Sequence, residues 1–419
     1  MGSTCATLPF RLLEPPGVAV QDTGMNATAA AKFLALIALC AVACASPVPS
    51  PGVSAWADLP LADLNAADVA SADLGADALG TSTDVAIADS FGADVNQSNE
   101  ITEDTPDSAA DVAASSAFRD WTAHPAIAVR SMAKDLWFLG DVHGDAQRLD
   151  TLLTAAGLIN PAGQGAAVWT AGAAVLVCTG DLIDKGSNSL GVIKRLQQMQ
   201  AGALAQGGEV VVTLGNHEAE FLADPMAVKV AEFADELTAS ALPPGDVAQG
   251  LLAPGDWLRN CPLAAKVGPW FACHAGNTAG LTLPQLQYAI EQSANAGGFA
   301  HTFFAADDSM LESRLNPPLW FELPGKDPQT VLQAYVQALG AAYVVQGHQP
   351  GDVTFADGTK RKAGKIYQQN GILFLVDAGM SSGVDDSKGA LLHITAKGQG
   401  YHADTVDHKG KVTPFWDSP

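Results

Sequence analysis

Positive charge is scarce in this 419-residue chain, where 22 Lys and Arg stand against 45 Asp and Glu for a formal net charge of −23. Neutralising nucleic-acid phosphates or an anionic bilayer requires clustered cations, and no basic stripe occurs anywhere, so no nucleic-acid partner is expected. Cysteine is also sparse. Cys5, Cys40, Cys44, Cys178, Cys261 and Cys273 form no CxxC pair and no zinc-ribbon spacing, which excludes a disulfide framework as the source of stability. Long apolar runs are missing too: the stretch Phe33 to Ala43 covers about eleven residues, where a membrane span takes roughly 20. What is present is 48% hydrophobic and only 16% charged residues, ample for a large buried core. Nothing in the composition fixes an oligomeric state.

Three zones follow one another. Residues 1–45 contain Met25, a single Lys32, the short apolar run and then small residues and proline, the anatomy of a secretory signal, with the first 24 residues read as an upstream mis-start. Ala41-Val42-Ala43-Cys44 resembles a lipobox that would make Cys44 a lipidated first residue and give the chain a membrane anchor; plain cleavage after Ala45 is the alternative. Export from a bacterial cell, to the periplasm or a lipoprotein's membrane surface, is the expected location. Residues 46–117 are rich in Ala, Asp and Ser, without a Lys or Arg before Arg119, and read as a disordered acidic tether over a few Ala-rich helices. From 118 to 419, short β-branched runs alternate with longer helical stretches, as in an α/β domain.

Within that domain one pattern recurs. Asp135-Leu136-Trp137-Phe138-Leu139 reads as a strand running into Gly140-Asp141-Val142-His143-Gly144-Asp145 and a helix. Alone, such an Asp and His could be a turn with an Asx cap. The pattern returns where the strand Ala173 to Cys178 meets Gly180-Asp181-Leu182-Ile183-Asp184-Lys185-Gly186, and where Val210 to Leu214 meets Gly215-Asn216-His217-Glu218. Two later strands end in His274-Ala275-Gly276 and Gly347-His348-Gln349. Ligands bind beyond the carboxyl ends of strands in open sheets, so neighbouring strands would bring these side chains to one site. Carboxylate, imidazole and amide donors suit Mn, Fe or Zn rather than Ca or a thiolate site.

The order GDVHG, GDLIDKG, GNHE, HAG, GHQ resembles the phosphoprotein phosphatase branch of the calcineurin-like metallophosphoesterases, and Asp377-Ala378-Gly379-Met380-Ser381 is similar to a stretch of the bacterial Shewanella-like phosphatases. The resemblance implies a four-layer αββα sandwich, whose second sheet is expected to be supplied partly by Lys365 to Gln368, Ile372 to Val376 and Ala390 to Thr395, and two divalent metal ions, with Mn first among the candidates. It implies Asp141, His143 and Asp181 around one ion, and Asp181, Asn216, His274 and His348 around the other. A hydroxide between the ions would attack phosphorus, His217 would protonate the leaving oxygen, and Asp184 would orient and charge-stabilise His217. Lys185 and Asn216 would contact the phosphoryl group.

Two positions depart from that family. Lys185 stands where Arg is usual and lacks its bidentate fork, and Glu322 follows Pro318-Leu319-Trp320-Phe321 where related bacterial sequences often have Arg, leaving Arg314 as the substitute cation. Residues 219–256, with Met226, Val230, Phe233 and Leu237 at helical spacing, read either as a helical insertion over the site or as ordinary packing. The expected reaction is hydrolysis of phosphomonoesters, either phosphorylated protein (Ser/Thr or Tyr) or small metabolites. The alternatives are a dinucleoside-polyphosphate hydrolase and a non-catalytic surface lipoprotein of the same fold.

Overall fold

The computed structural model describes residues 118–161, 168–315, 319–355 and 357–418. The expected leader and tether, within residues 1–117, lie outside the described residues. Among the described residues no helix is long and apolar enough to cross a membrane.

Two six-stranded mixed sheets face each other. The second begins at β1 (Ile127–Arg130) and the first is built on β2 (Asp135–Leu139), β3 (Val175–Cys178) and β4 (Glu209–Val212), which pair in parallel with Leu139 opposite Cys178 and Cys178 opposite Val212. β3 is buried at every position, as a parallel strand covered on both faces should be. The second sheet continues through β5 (Ala264–Val267), β6 (Trp270–Cys273) and β7 (Tyr343–Gln346), beyond which lies the small hairpin β8 (Val353–Thr354) and β9 (Lys360–Arg361). It closes with β10 (Tyr367–Gln369) and β11 (Leu373–Leu375) in the order β1-β5-β6-β7-β11-β10. The sequence places Ala390 to Thr395 in this sheet as well. Instead, β12 (Ala390–Lys397) pairs antiparallel with β2, Leu391 opposite Leu139, and is followed by β13 (Gly400–Asp407) and β14 (Val412–Asp417) in the first sheet. Its alternation, Leu392 and Ile394 inward and His393 outward, specifies a strand with one buried face but not which strand it joins.

Leu136, Phe138, Val177, Ala272, Phe374, Leu392 and Ile394 meet between the sheets around Trp270. The Trp270 indole stacks on Tyr343 at 4.2 Å and meets Phe374 edge-on at 5.0 Å, a geometry that adds to area burial. Helices flank the sheets. Asp145 caps α1 (Ala146–Ala155) by accepting from Arg148 N at 3.1 Å, and Asn188 caps α2 (Ser189–Leu204) by accepting from Gly191 N at 2.9 Å. The stripe Ile193, Leu196 and Met199 of α2 is buried, as its spacing predicts.

Residues 219–256 continue α3 (Asn216–Ala223) into α4 (Ala231–Ala239), α5 (Pro244–Ala248) and the start of α6 (Gly255–Asn260). Val230, Phe233 and Leu237 are fully buried, but Met226 is 77% exposed. It falls in the loop between helices, where helical spacing has no meaning.

Candidate active site

The three parallel strands deliver their loops side by side: Asp141 and His143 after β2, Asp181 and Asp184 after β3, Asn216 and His217 after β4. From the facing sheet, β6 and β7 are neighbours and end in His274 and His348, tied together by Gly347 N donating to His274 O at 2.8 Å. Every one of these side chains is buried, none more than 4% exposed. The strand ends are backbone-strained, with left-handed φ of 48° at His143, 50° at Asp181, 61° at Asp184, 54° at Lys185 and 62° at His348. Each such residue costs about 1–3 kcal/mol, and outliers of this kind concentrate at functional sites. Close approach also demands glycine: a Cβ on Gly180, itself at φ 100°, would stand 2.3 Å from Gly215 N, and one on Gly347 would stand 2.3 Å from Asp141 Oδ1.

His274 Nε2 lies 3.0 Å from Asn216 Oδ1, 3.0 Å from His348 Nδ1 and 3.4 Å from Asp181 Oδ1. The other Asp181 oxygen, Oδ2, lies 3.5 Å from His143 Nε2. Asp181 therefore belongs to two adjacent triads, one with His143 and His217 and one with His274 and His348. The rings are oriented from behind. His143 Nδ1 donates to Ile183 O at 3.1 Å, His274 Nδ1 to Thr179 O at 2.9 Å and His348 Nε2 to Glu312 O at 3.2 Å, which leaves the opposite nitrogen of each facing the site. Donors about 2.1 Å from an ion stand roughly 3.0–3.4 Å from each other, so these separations fit divalent cations. Asp141 sits behind the triads: its carboxylate accepts from His348 N at 3.0 Å and lies 4.0 Å from His274 Nδ1.

The electrostatics also call for cations. Burial, then the neighbouring Asp377 and Asp181 carboxylates, push the Asp141 carboxyl well above its ordinary range. Burial pushes Asp377 up to about 6, and its Oδ2 has no hydrogen-bond partner among the described residues. For Asp181, burial acts upward but the His274, His217 and His143 imidazoles outweigh it and hold the carboxyl well below the usual range. Burial lowers His143 to about 4, keeping its ring neutral and able to ligate. Three buried carboxylates with an orphaned oxygen are costly without a compensating cation.

His217 enters the first triad edge-on to His143, ring centroids 5.0 Å apart, while its Nδ1 is held at 2.9 Å by Asp184 Oδ2. Asp184 Oδ1 is itself held by Phe233 N at 2.9 Å, so the insertion helix α4 supports this dyad. Lys185 and Arg314 are both exposed, and their charges act on His143 and His348 respectively. Glu322 is engaged in a local turn, accepting from Leu319 N at 3.0 Å.

Some residues of the site have no assigned role in the sequence reading. Glu218, fully buried, accepts from Asp181 N at 2.9 Å, Leu182 N at 2.7 Å, Ile183 N at 3.2 Å and Gly215 N at 2.8 Å, and so fixes the loop that carries Asp181. Its place in Gly215-Asn216-His217-Glu218 was the available signal, as Asp377-Ala378-Gly379 was for Asp377. Buried Arg361, from the distant β9, donates to Gln349 O, Gly351 O and Asp377 O and staples the His348 and Asp377 loops together, with no motif to announce it.

The family profile for calcineurin-like phosphoesterases matches residues 135–352, which contain both triads. The chain belongs to the calcineurin-like phosphoesterase family. Among its relatives are an uncharacterised Schizosaccharomyces pombe protein, 39% identical over 83 residues, and the Arabidopsis thaliana Shewanella-like protein phosphatase 2, 32% identical over 80 residues. Those alignments cover 20% and 19% of this chain and span only 24% and 19% of the relatives' own lengths. The crystal structure of a cold-active protein-tyrosine phosphatase from a psychrophilic Shewanella species superposes with a TM-score of 0.53 at 20% identity, over 69% of this chain and 82% of that one. This calcineurin-like phosphoesterase thus shares the fold of that Shewanella protein.

Proposed function

We propose that this chain is a two-metal phosphomonoesterase of the protein-phosphatase type, close to the Shewanella-like branch. The observation that carries the reading is Asp181, whose two oxygens face two adjacent His-containing triads beside a buried His217–Asp184 dyad. Asp181, His143 and Asp141 would hold one divalent cation, and Asp181, Asn216, His274 and His348 the other, with manganese the first candidate. When bound, such ions supply Lewis acidity toward phosphoryl oxygens and acidify water to make a nucleophile near neutral pH. Exposed Lys185 and Arg314 bind the phosphoryl oxygens at the mouth of the site. The Asp184 carboxylate, 2.9 Å from Nδ1, orients the His217 ring so that Nε2 faces the site, the position from which an Nε2–H would be given to the leaving oxygen.

The similarity to Shewanella-like protein phosphatase 2 supports phosphorylated Ser, Thr or Tyr in proteins as the substrate class, with small phosphomonoesters as the other member. The signal-like leader supports export, and the lipobox-like Ala41 to Cys44 supports an anchor at Cys44. The test is turnover of p-nitrophenyl phosphate, a phosphopeptide and a dinucleoside tetraphosphate after chelation and re-addition of Mn, Zn or Fe. Metal-restored turnover of the first two supports the proposal. Preference for the tetraphosphate supports the dinucleoside-polyphosphate reading instead, and inactivity on all three sinks the enzymatic reading. Intact-mass measurement of the mature N-terminus checks the anchor: an unlipidated start at Ser46 rules it out.

A further inference from the structure

An amide ligand differs from a carboxylate in one respect that matters here. Asn216 can offer a cation only its Oδ1, and a half-turn about the last side-chain bond would present the Nδ2 donors instead. In the isolated pocket nothing prevents that turn, because the facing His274 Nε2 and His348 Nδ1 can each accept a hydrogen bond. The side chain that breaks the symmetry is Glu312. Its Oε1 accepts from Asn216 Nδ2 at 3.0 Å and from Lys229 Nζ at 2.9 Å, while its main-chain oxygen meets His348 Nε2 at 3.2 Å. Lys229 is steadied in turn by Glu220 Oε2 at 2.9 Å. A carboxylate paired with an ammonium is an acceptor only, so it draws Nδ2 outward and turns Oδ1 toward His274.

Resting on the two-metal reading above, we propose that Glu312 is a positioning residue for the second metal site. It fixes the Asn216 amide oxygen-inward through its side chain and the His348 ring Nδ1-inward through its main chain. Lys229, on the segment leading into α4, holds Glu312 in place, so the insertion supports the metal centre as well as the His217–Asp184 dyad. Outer partners of this kind typically change metal affinity by roughly 10–100-fold when removed.

The experiment is calorimetric titration of the metal-stripped full chain with Mn²⁺, in the unsubstituted protein, Glu312→Leu, Asn216→Asp and the double variant, with circular dichroism to establish that each is folded. Two ions should bind the unsubstituted protein, and Glu312→Leu, which removes the acceptor, should weaken the second by roughly 10–100-fold while leaving the first nearly unchanged. In the Asn216→Asp background either oxygen can ligate, so the Glu312→Leu penalty should vanish or reverse. A packing role for Glu312 would give the same loss in both backgrounds, and that outcome overturns the proposal, as does unaltered binding of both ions by Glu312→Leu. Glu312→Gln, which keeps one oxygen acceptor, should retain more of the second-site affinity than Glu312→Leu; the reverse order also overturns it. Failure of the unsubstituted protein to bind two ions would refute the metal centre itself, and with it this role.

Discussion

Replacing Glu218 by Gln changes a single oxygen into an NH₂ group, yet the structure assigns it a large cost. The carboxylate receives four backbone N–H donors, Oε2 those of Asp181 and Gly215, Oε1 those of Leu182 and Ile183. In the amide, one end keeps an acceptor and its two N–H partners, but the other becomes a donor facing two buried donors. Hydrogen bonds to a charged group contribute about 1.5–3 kcal/mol each, so losing two would cost roughly 3–6 kcal/mol. Removing a buried charge offsets part of this, since Glu218 is fully buried and burial already raises its carboxyl to about 6. A net loss of about 2–4 kcal/mol is expected, out of a total stability on the order of 5–15 kcal/mol. Urea unfolding followed by tryptophan fluorescence should move the midpoint down by about 1 M, taking a slope of about 3 kcal/mol/M for a domain of this size. Because the same bonds hold the Asp181 loop, metal affinity should fall with stability. A midpoint shift below about 0.3 M, less than 1 kcal/mol on that slope, would refute the clamp.

Asp181→Asn removes the carboxylate common to both triads, and elemental analysis should find neither ion retained, with no measurable turnover; an active variant would sink the two-metal assignment. His217→Asn should leave metal content intact and lower kcat, more for an alkyl phosphate than for p-nitrophenyl phosphate, and an equal loss on both would remove His217 as the acid. Lys185→Ala and Arg314→Ala should mainly raise KM, with kcat changing far less; the opposite split would place these cations in the transition state rather than in binding. Chelation should lower thermal stability, because Asp141, Asp181 and Asp377 are left as buried, crowded carboxyl groups without a compensating cation; free metal at a hundredfold excess over Kd should restore about 2.7 kcal/mol per site, and a melting temperature indifferent to chelator would contradict the fit of these residues to cations.

Much of the clustering at the site was legible in sequence because each proposed ligand is covalently tied to a strand end. Asp141, His143, Asp181, Asn216, His274 and His348 all follow short apolar runs beside glycine, and parallel strands buried on both faces announce themselves by composition alone. The Asp184–His217 contact was legible only through the family resemblance. Met226 misled, since helical spacing in a short segment does not reveal where a helix starts.

The sequence by itself determined which residues stand at the strand ends, because local apolar patterning and glycine punctuation act within a few residues of each other. Only the tertiary structure decided the rest. It placed Ala390 to Lys397 beside β2 and brought His274 and His348 across from the facing sheet. It also set Glu218, Arg361, Asp377 and Glu312 behind the ligands. Strand partners and buried hydrogen bonds join residues far apart in the chain. The requirement that every buried polar group find a partner is satisfied in space, and no local pattern records which partner it finds.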